Sequence, residues 1–92
     1  MPYSHKIRSA VDLAPRTLGN KLGRWSIILD FPVYKVALVT GATRQTVYNW
    51  FSGGEVAAPY RERVQALLDL LATSSNATEA WEKACTRFNL NP

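Results

Sequence analysis

The sequence predicts an all-α protein, a compact bundle of about five short helices. Apolar residues recur at spacings of three and four, as in Leu18, Leu22, Trp25, Leu29 and again in Val64, Leu67, Leu68, Leu71, which is the period of a helix with one buried face. Helix punctuation brackets these stretches: Thr17, Thr43 and Asn76 stand as caps, Pro32 and Pro59 at openings, and Gly41 and Gly53-Gly54 at ends. With 92 residues, 47% of them hydrophobic and 20% charged, the chain can fill one small core but not two.

Residues 1–14 show no sustained period, and Pro15 interrupts them. They read as a loosely held basic N-terminal arm with at most one turn near Ser9 to Leu13, ahead of a domain over 15–92. His5, Lys6 and Arg8 suit either a nucleic-acid backbone or minor groove, or a solvated terminus. A helix is expected over 17–29, where Gly19 and Gly23 weaken the helix by up to about 1 kcal/mol each relative to alanine. Their purpose is close packing against a neighbour, unless the helix starts later. Asp30-Phe31-Pro32 is a junction, and Pro32 opens the next helix because proline's fixed φ suits a first turn.

The stretch 33–54, VYKVALVTGATRQTVYNWFSGG, reads as two short helices around a tight turn. Val36, Ala37 and Val39 belong to the first, which ends near Thr40. Gly41 follows where a left-handed residue is wanted, a conformation glycine reaches without Cβ strain. Thr43 caps the second helix, 44–52, through its hydroxyl. At 100° per residue Thr46, Val47, Trp50 and Phe51 fall on one side, and Arg44, Gln45, Tyr48, Asn49 and Ser52 within roughly 140° on the other. That outer face has hydrogen-bonding groups at every position and no acid. Between Phe31 and Gly54 the only ionised residues are Lys35 and Arg44.

Pro59 opens a helix that runs to about Leu71, with Glu62 and Arg63 toward solvent and Arg61 near enough to the preceding loop, 55–58, to touch a phosphate. Thr73 to Asn76 is a turn, and Asn76 with Glu79 has the form of a capping box for a last helix over 77–88. Trp81, Ala84, Cys85 and Phe88 share one face of it, either as core or, for the aromatics, as part of a dimer seam.

Charge is unevenly spread. Residues 1–54 carry seven Lys and Arg against Asp12 and Asp30, a net +5, whereas residues 55–92 carry four against five acids, a net −1. The basic half therefore holds the acid-free helix, as phosphate attraction requires. Enzyme chemistry is poorly provided for. A Cys–His dyad would need His5 to reach Cys85, the acids are scattered, and GATRQT lacks the lysine and outer glycine of a P-loop. No cofactor or metal is implied. No apolar run approaches the roughly 20 residues of a membrane span. Met1-Pro2-Tyr3-Ser4-His5 does not read as a signal peptide, and a lone cysteine fits a reducing cytoplasm.

The spacing Ala37, Gly41, Val47, Trp50, Gly53 resembles the helix-turn-helix of Cro and lambda repressor, the XRE-type regulators of phages and bacteria. In that family the small residue lets the helices cross, the glycine makes the turn, and the two later apolar residues anchor the recognition helix. The sequence departs from it at Val33, where relatives place a phosphate-binding Gln, at Thr40, usually apolar, and at Tyr48, usually small. The resemblance implies a lambda-repressor-like fold and double-stranded DNA as partner. It also implies a homodimer, a place in the bacterial cytoplasm or nucleoid, and transcriptional regulation, most simply repression by occupying an operator. Base reading is then expected from Arg44, Gln45, Tyr48 and Asn49 in the major groove, with Thr43, Lys35, Ser52, Lys21 and Arg24 on the DNA backbone. Two other roles share these residues: a DNA-binding component of a phage packaging or replication machine, and a protein-interaction module of antitoxin or antirepressor type.

Overall fold

A computed structural model describes residues 3–90, in which every regular element is a helix: α1 His5–Leu13, α2 Leu18–Ile28, α3 Val33–Thr40, α4 Arg44–Phe51, α5 Ala58–Ala72 and α6 Ala77–Phe88. There are thus six helices rather than five, because residues 5–13 of the expected arm are helical. Ser4 caps α1 by accepting from the Ile7 amide (3.3 Å), and Tyr3, Ile7 and Val11 form an apolar stripe at a spacing of four. The stripe escapes a period count because its first member, Tyr3, lies outside the helix.

α2 is the central element and packs against α1, α4 and α5, while α6 closes the far side against α5 and α3. Leu22, Phe31, Val36, Val39, Val47, Phe51, Val64, Leu67 and Leu71 are fully buried between these helices in a body of 32 × 29 × 20 Å. The two glycines of α2 are close-approach positions. A Cβ on Gly19 would stand 2.5 Å from Trp50 Cβ and 2.9 Å from its Cα, and one on Gly23 would stand 2.7 Å from the Phe51 ring. α4 thus lies directly on the α2 backbone.

α1 is tied down at both ends. The buried Tyr3 hydroxyl donates to Phe31 O (2.6 Å), its ring centroid lies 6.2 Å from that of Phe51, and burial pushes its phenol well above the usual range. At the other end Asn20, fully buried in α2, donates from Nδ2 to Val11 O (3.0 Å) and to Phe51 O (2.8 Å). One side chain therefore joins the last turns of α1 and α4. Arg24 completes the arrangement, donating to Asn20 Oδ1 (2.8 Å), Val11 O (3.3 Å) and Asp12 O (2.9 Å).

Arg63 is exposed, as expected, but its head group is not free in solvent. Its guanidinium donates to Val39 O (2.9 Å) and covers the Phe88 ring, closing a carbonyl that the C-terminus of α3 leaves open. Arg61 likewise folds back onto Val56 O (3.0 Å) and Glu55 (3.4 Å). Cys85 is a buried member of the α6 face, and the Trp81 ring centroid lies 6.3 Å from that of Phe31. No helix among the described residues is long and apolar enough to cross a membrane.

Candidate nucleic-acid interface

A three-residue turn, Gly41-Ala42-Thr43, connects α3 to α4. Gly41 takes φ +79° and its amide closes α3 onto Ala37 O (2.9 Å). Thr40, polar where an apolar residue is usual, is buried with its hydroxyl bonded back to Val36 O (2.8 Å) and facing the Ala42 amide (3.4 Å), so burial leaves it satisfied. Thr43 caps α4, accepting from the Thr46 amide (3.1 Å) and donating to the Thr46 hydroxyl (3.0 Å).

The other end of α4 is closed without help from its outer face. Gly53 is left-handed (φ +98°), its amide bonds Trp50 O (3.0 Å), and the Gly54 amide bonds Asn49 O (2.8 Å), the pairing of a Schellman motif. Ser52 N takes Tyr48 O (3.0 Å) and Asn20 takes Phe51 O (2.8 Å). All four terminal carbonyls of this eight-residue helix are thereby satisfied.

Between these clamps, Val47, Trp50 and Phe51 are buried and Arg44, Gln45 and Asn49 are exposed. Tyr48 is half-buried with its ring against the core. Gln45 Nε2 donates to Asn49 Oδ1 (3.3 Å), which joins the two amides into one unit and leaves Gln45 Oε1 and Asn49 Nδ2 unpaired. The Arg44 guanidinium lies 5.9 Å from the centroid of Tyr34, which with Leu38 forms an exposed apolar strip on α3. No ion pair among the described residues involves α3 or α4.

No protein-family model, curated protein or solved structure matches the chain. Its chemistry is therefore read from its own geometry.

The expected backbone contacts divide into two groups. Thr43, Ser52 and Lys21 are exposed. Arg24 is spent on the carbonyls of α1, and Lys35 is half-buried with its ammonium 4.9 Å above the Trp81 ring, where α3 meets α6. Both cations hold helices together, a use that charge alone does not reveal. The residues that sequence reasoning missed are Asn20, which positions α4, and Ile7 and Ala10 of α1; together with Lys6, already a candidate for a nucleic-acid backbone, these two line an open groove of about 500 Å³ with Gln45, Tyr48, Phe51 and Ser52.

Proposed function

We propose that this chain binds double-stranded DNA through α3, the Gly41 turn and α4 acting as a helix-turn-helix, and that it regulates transcription by occupying an operator. One observation carries the reading: Arg44, Gln45 and Asn49 stand exposed on an acid-free face of a helix whose opposite side and both ends are anchored. A solvated helix needs no such provision. Set in a major groove about 12 Å wide, this face meets base edges. Arg44 suits the paired acceptors of guanine. The free Gln45 Oε1 and Asn49 Nδ2 set an acceptor beside a donor, the complement of adenine N6–H and N7. Tyr48 presents its ring edge to a thymine methyl, and Thr43, Ser52 and Lys21 take phosphates.

Three or four base contacts, each discriminating by roughly 1–3 kcal/mol, select poorly in a genome. Two copies on half-sites about 34 Å apart double the contacts, so the protein acts as a homodimer. Selection of bound sequences from a random duplex pool tests partner, specificity and symmetry together. The expected outcome is a two-fold symmetric motif that loses preference at one position per half-site in Gln45→Ala. An unchanged motif in that variant would remove Gln45 from the readers.

A second reading draws on Tyr34 and Leu38, whose exposed apolar strip beside Arg44 would suit a protein partner. Salt separates the two. Duplex binding weakens linearly in log–log form as counterions are released, whereas apolar docking does not.

A further inference from the structure

We propose that α1 is a second wall of the DNA interface, with Lys6 bonding a phosphate of the strand that borders the major groove occupied by α4. The inference rests on the DNA-binding reading above and extends it to a helix outside the helix-turn-helix.

Three observations support it. Lys6, Ile7 and Ala10 share one open groove of about 500 Å³ with Gln45, Tyr48 and Ser52, so the wall of α1 is continuous with the reading face of α4. A helix with its side chains is about 10–12 Å across and the major groove about 12 Å wide, so α4 alone fills it. A helix flanking α4 therefore cannot enter the same groove and meets its sugar–phosphate border instead. The chemistry of the wall suits that border. No acid lines the groove, the Lys6 ammonium is exposed, and Ile7 and Ala10 offer apolar surface to deoxyribose.

The third observation is that α1 is fixed in place. Asn20 bonds the last turns of α1 and α4 through one amide, and Tyr3 anchors the start of α1 to Phe31 O. A phosphate contact made by Lys6 therefore sets the lateral position of α4 in its groove, a register that a mobile arm could not impose.

The test is a salt series on the full chain with two fluorescent duplexes, one of the selected sequence and one scrambled. Lys6→Ala, Lys6→Arg and, as control, Arg87→Ala on α6 are compared with the parent. Lys6→Ala is expected to weaken both duplexes alike and to reduce the log–log salt slope by about 1.8, the loss of one phosphate contact from each copy of the dimer. The gap from the parent then narrows about twelvefold for a fourfold rise in salt. Lys6→Arg retains the slope, and Arg87→Ala leaves slope and affinity unchanged. Lys6 is exposed, so an unchanged melting curve is expected to accompany the loss. A parent slope retained in Lys6→Ala, or a change confined to the selected duplex, overturns the assignment of α1 while leaving the reading of α4 intact. A parent that binds neither duplex overturns both.

Discussion

Asn20→Ala should be the most damaging small polar substitution in the protein, and its cost can be worked from the bonds it breaks. The native amide donates to Val11 O and Phe51 O and accepts from Arg24 Nε at 2.8 Å, so a fully buried asparagine is satisfied on three sides. After truncation Val11 O keeps Arg24 and the Ala14 amide, but Phe51 O has no other donor among the described residues. An orphaned buried carbonyl costs about 1–3 kcal/mol, and the loosened Arg24 adds about 1. The expected loss is about 2–4 kcal/mol from a total of the order of 5–15 for a small domain. At 4–8 °C per kcal/mol that lowers Tm by roughly 8–32 °C. Urea unfolding followed by circular dichroism measures it, and a double-mutant cycle with Arg24→Ala should show coupling above about 0.5 kcal/mol. A loss below about 0.5 kcal/mol in Asn20→Ala, or strict additivity with Arg24→Ala, would refute the clamp.

Gly19→Ala gains about 1 kcal/mol of helix propensity but drives a methyl into the Trp50 backbone at 2.8–2.9 Å, so overpacking by about 1–3 kcal/mol prevails. Urea midpoints should fall, and duplex affinity with them, because α4 is pushed outward. Tyr3→Phe removes the 2.6 Å bond to Phe31 O and costs about 1 kcal/mol at neutral pH. Burial raises the Tyr3 pKa, so the fold favours the neutral phenol. Its contribution is complete below pH about 10 and is lost at up to 1.4 kcal/mol per unit above it. Alkaline unfolding curves of Tyr3→Phe should therefore be flatter than the parent's over that limb. Arg63→Ala reopens Val39 O and uncovers Phe88, for about 1 kcal/mol measured by denaturant titration.

Much of the architecture was legible because helices announce themselves by period and punctuation. Thr17, Thr43 and Asn76 cap the helices they were expected to cap, and Gly41 is left-handed where the turn required it. What escaped notice depends on partners remote in sequence. α1 looked aperiodic because Tyr3 belongs to the core only once Phe31 arrives beside it, 28 residues on. Arg24 and Lys35 look like any solvated cations. Their real contacts, the α1 carbonyls and the Trp81 ring, exist only in the packed molecule. Asn20 gave no signal at all, since an asparagine within a helix is ordinarily exposed and here is sealed between two helix ends. The outward face of α4 was readable for the opposite reason. Arg44, Gln45 and Asn49 are exposed, so helical geometry alone places them.

That division bears on how the protein would recognise DNA. Eight residues are too few to remain helical alone, where about 12–15 are marginal. The face formed by Arg44, Gln45 and Asn49 therefore exists only while α4 is held from outside that face. Thr43 and the Gly41 turn hold one end, the Gly53-Gly54 closure and Asn20 the other, and Trp50 and Phe51 the back. Apart from Thr43, whose exposed side chain also meets a phosphate on the proposed reading, none of these groups is offered to a duplex. A helix already ordered pays little conformational entropy on binding, so contact energy at the groove appears more fully as affinity. On the proposed DNA-binding reading, Asn20 and Gln45 would thus govern recognition by different routes. One sets the population of the competent helix and changes affinity for every sequence by the same factor, and the other changes which sequence is preferred.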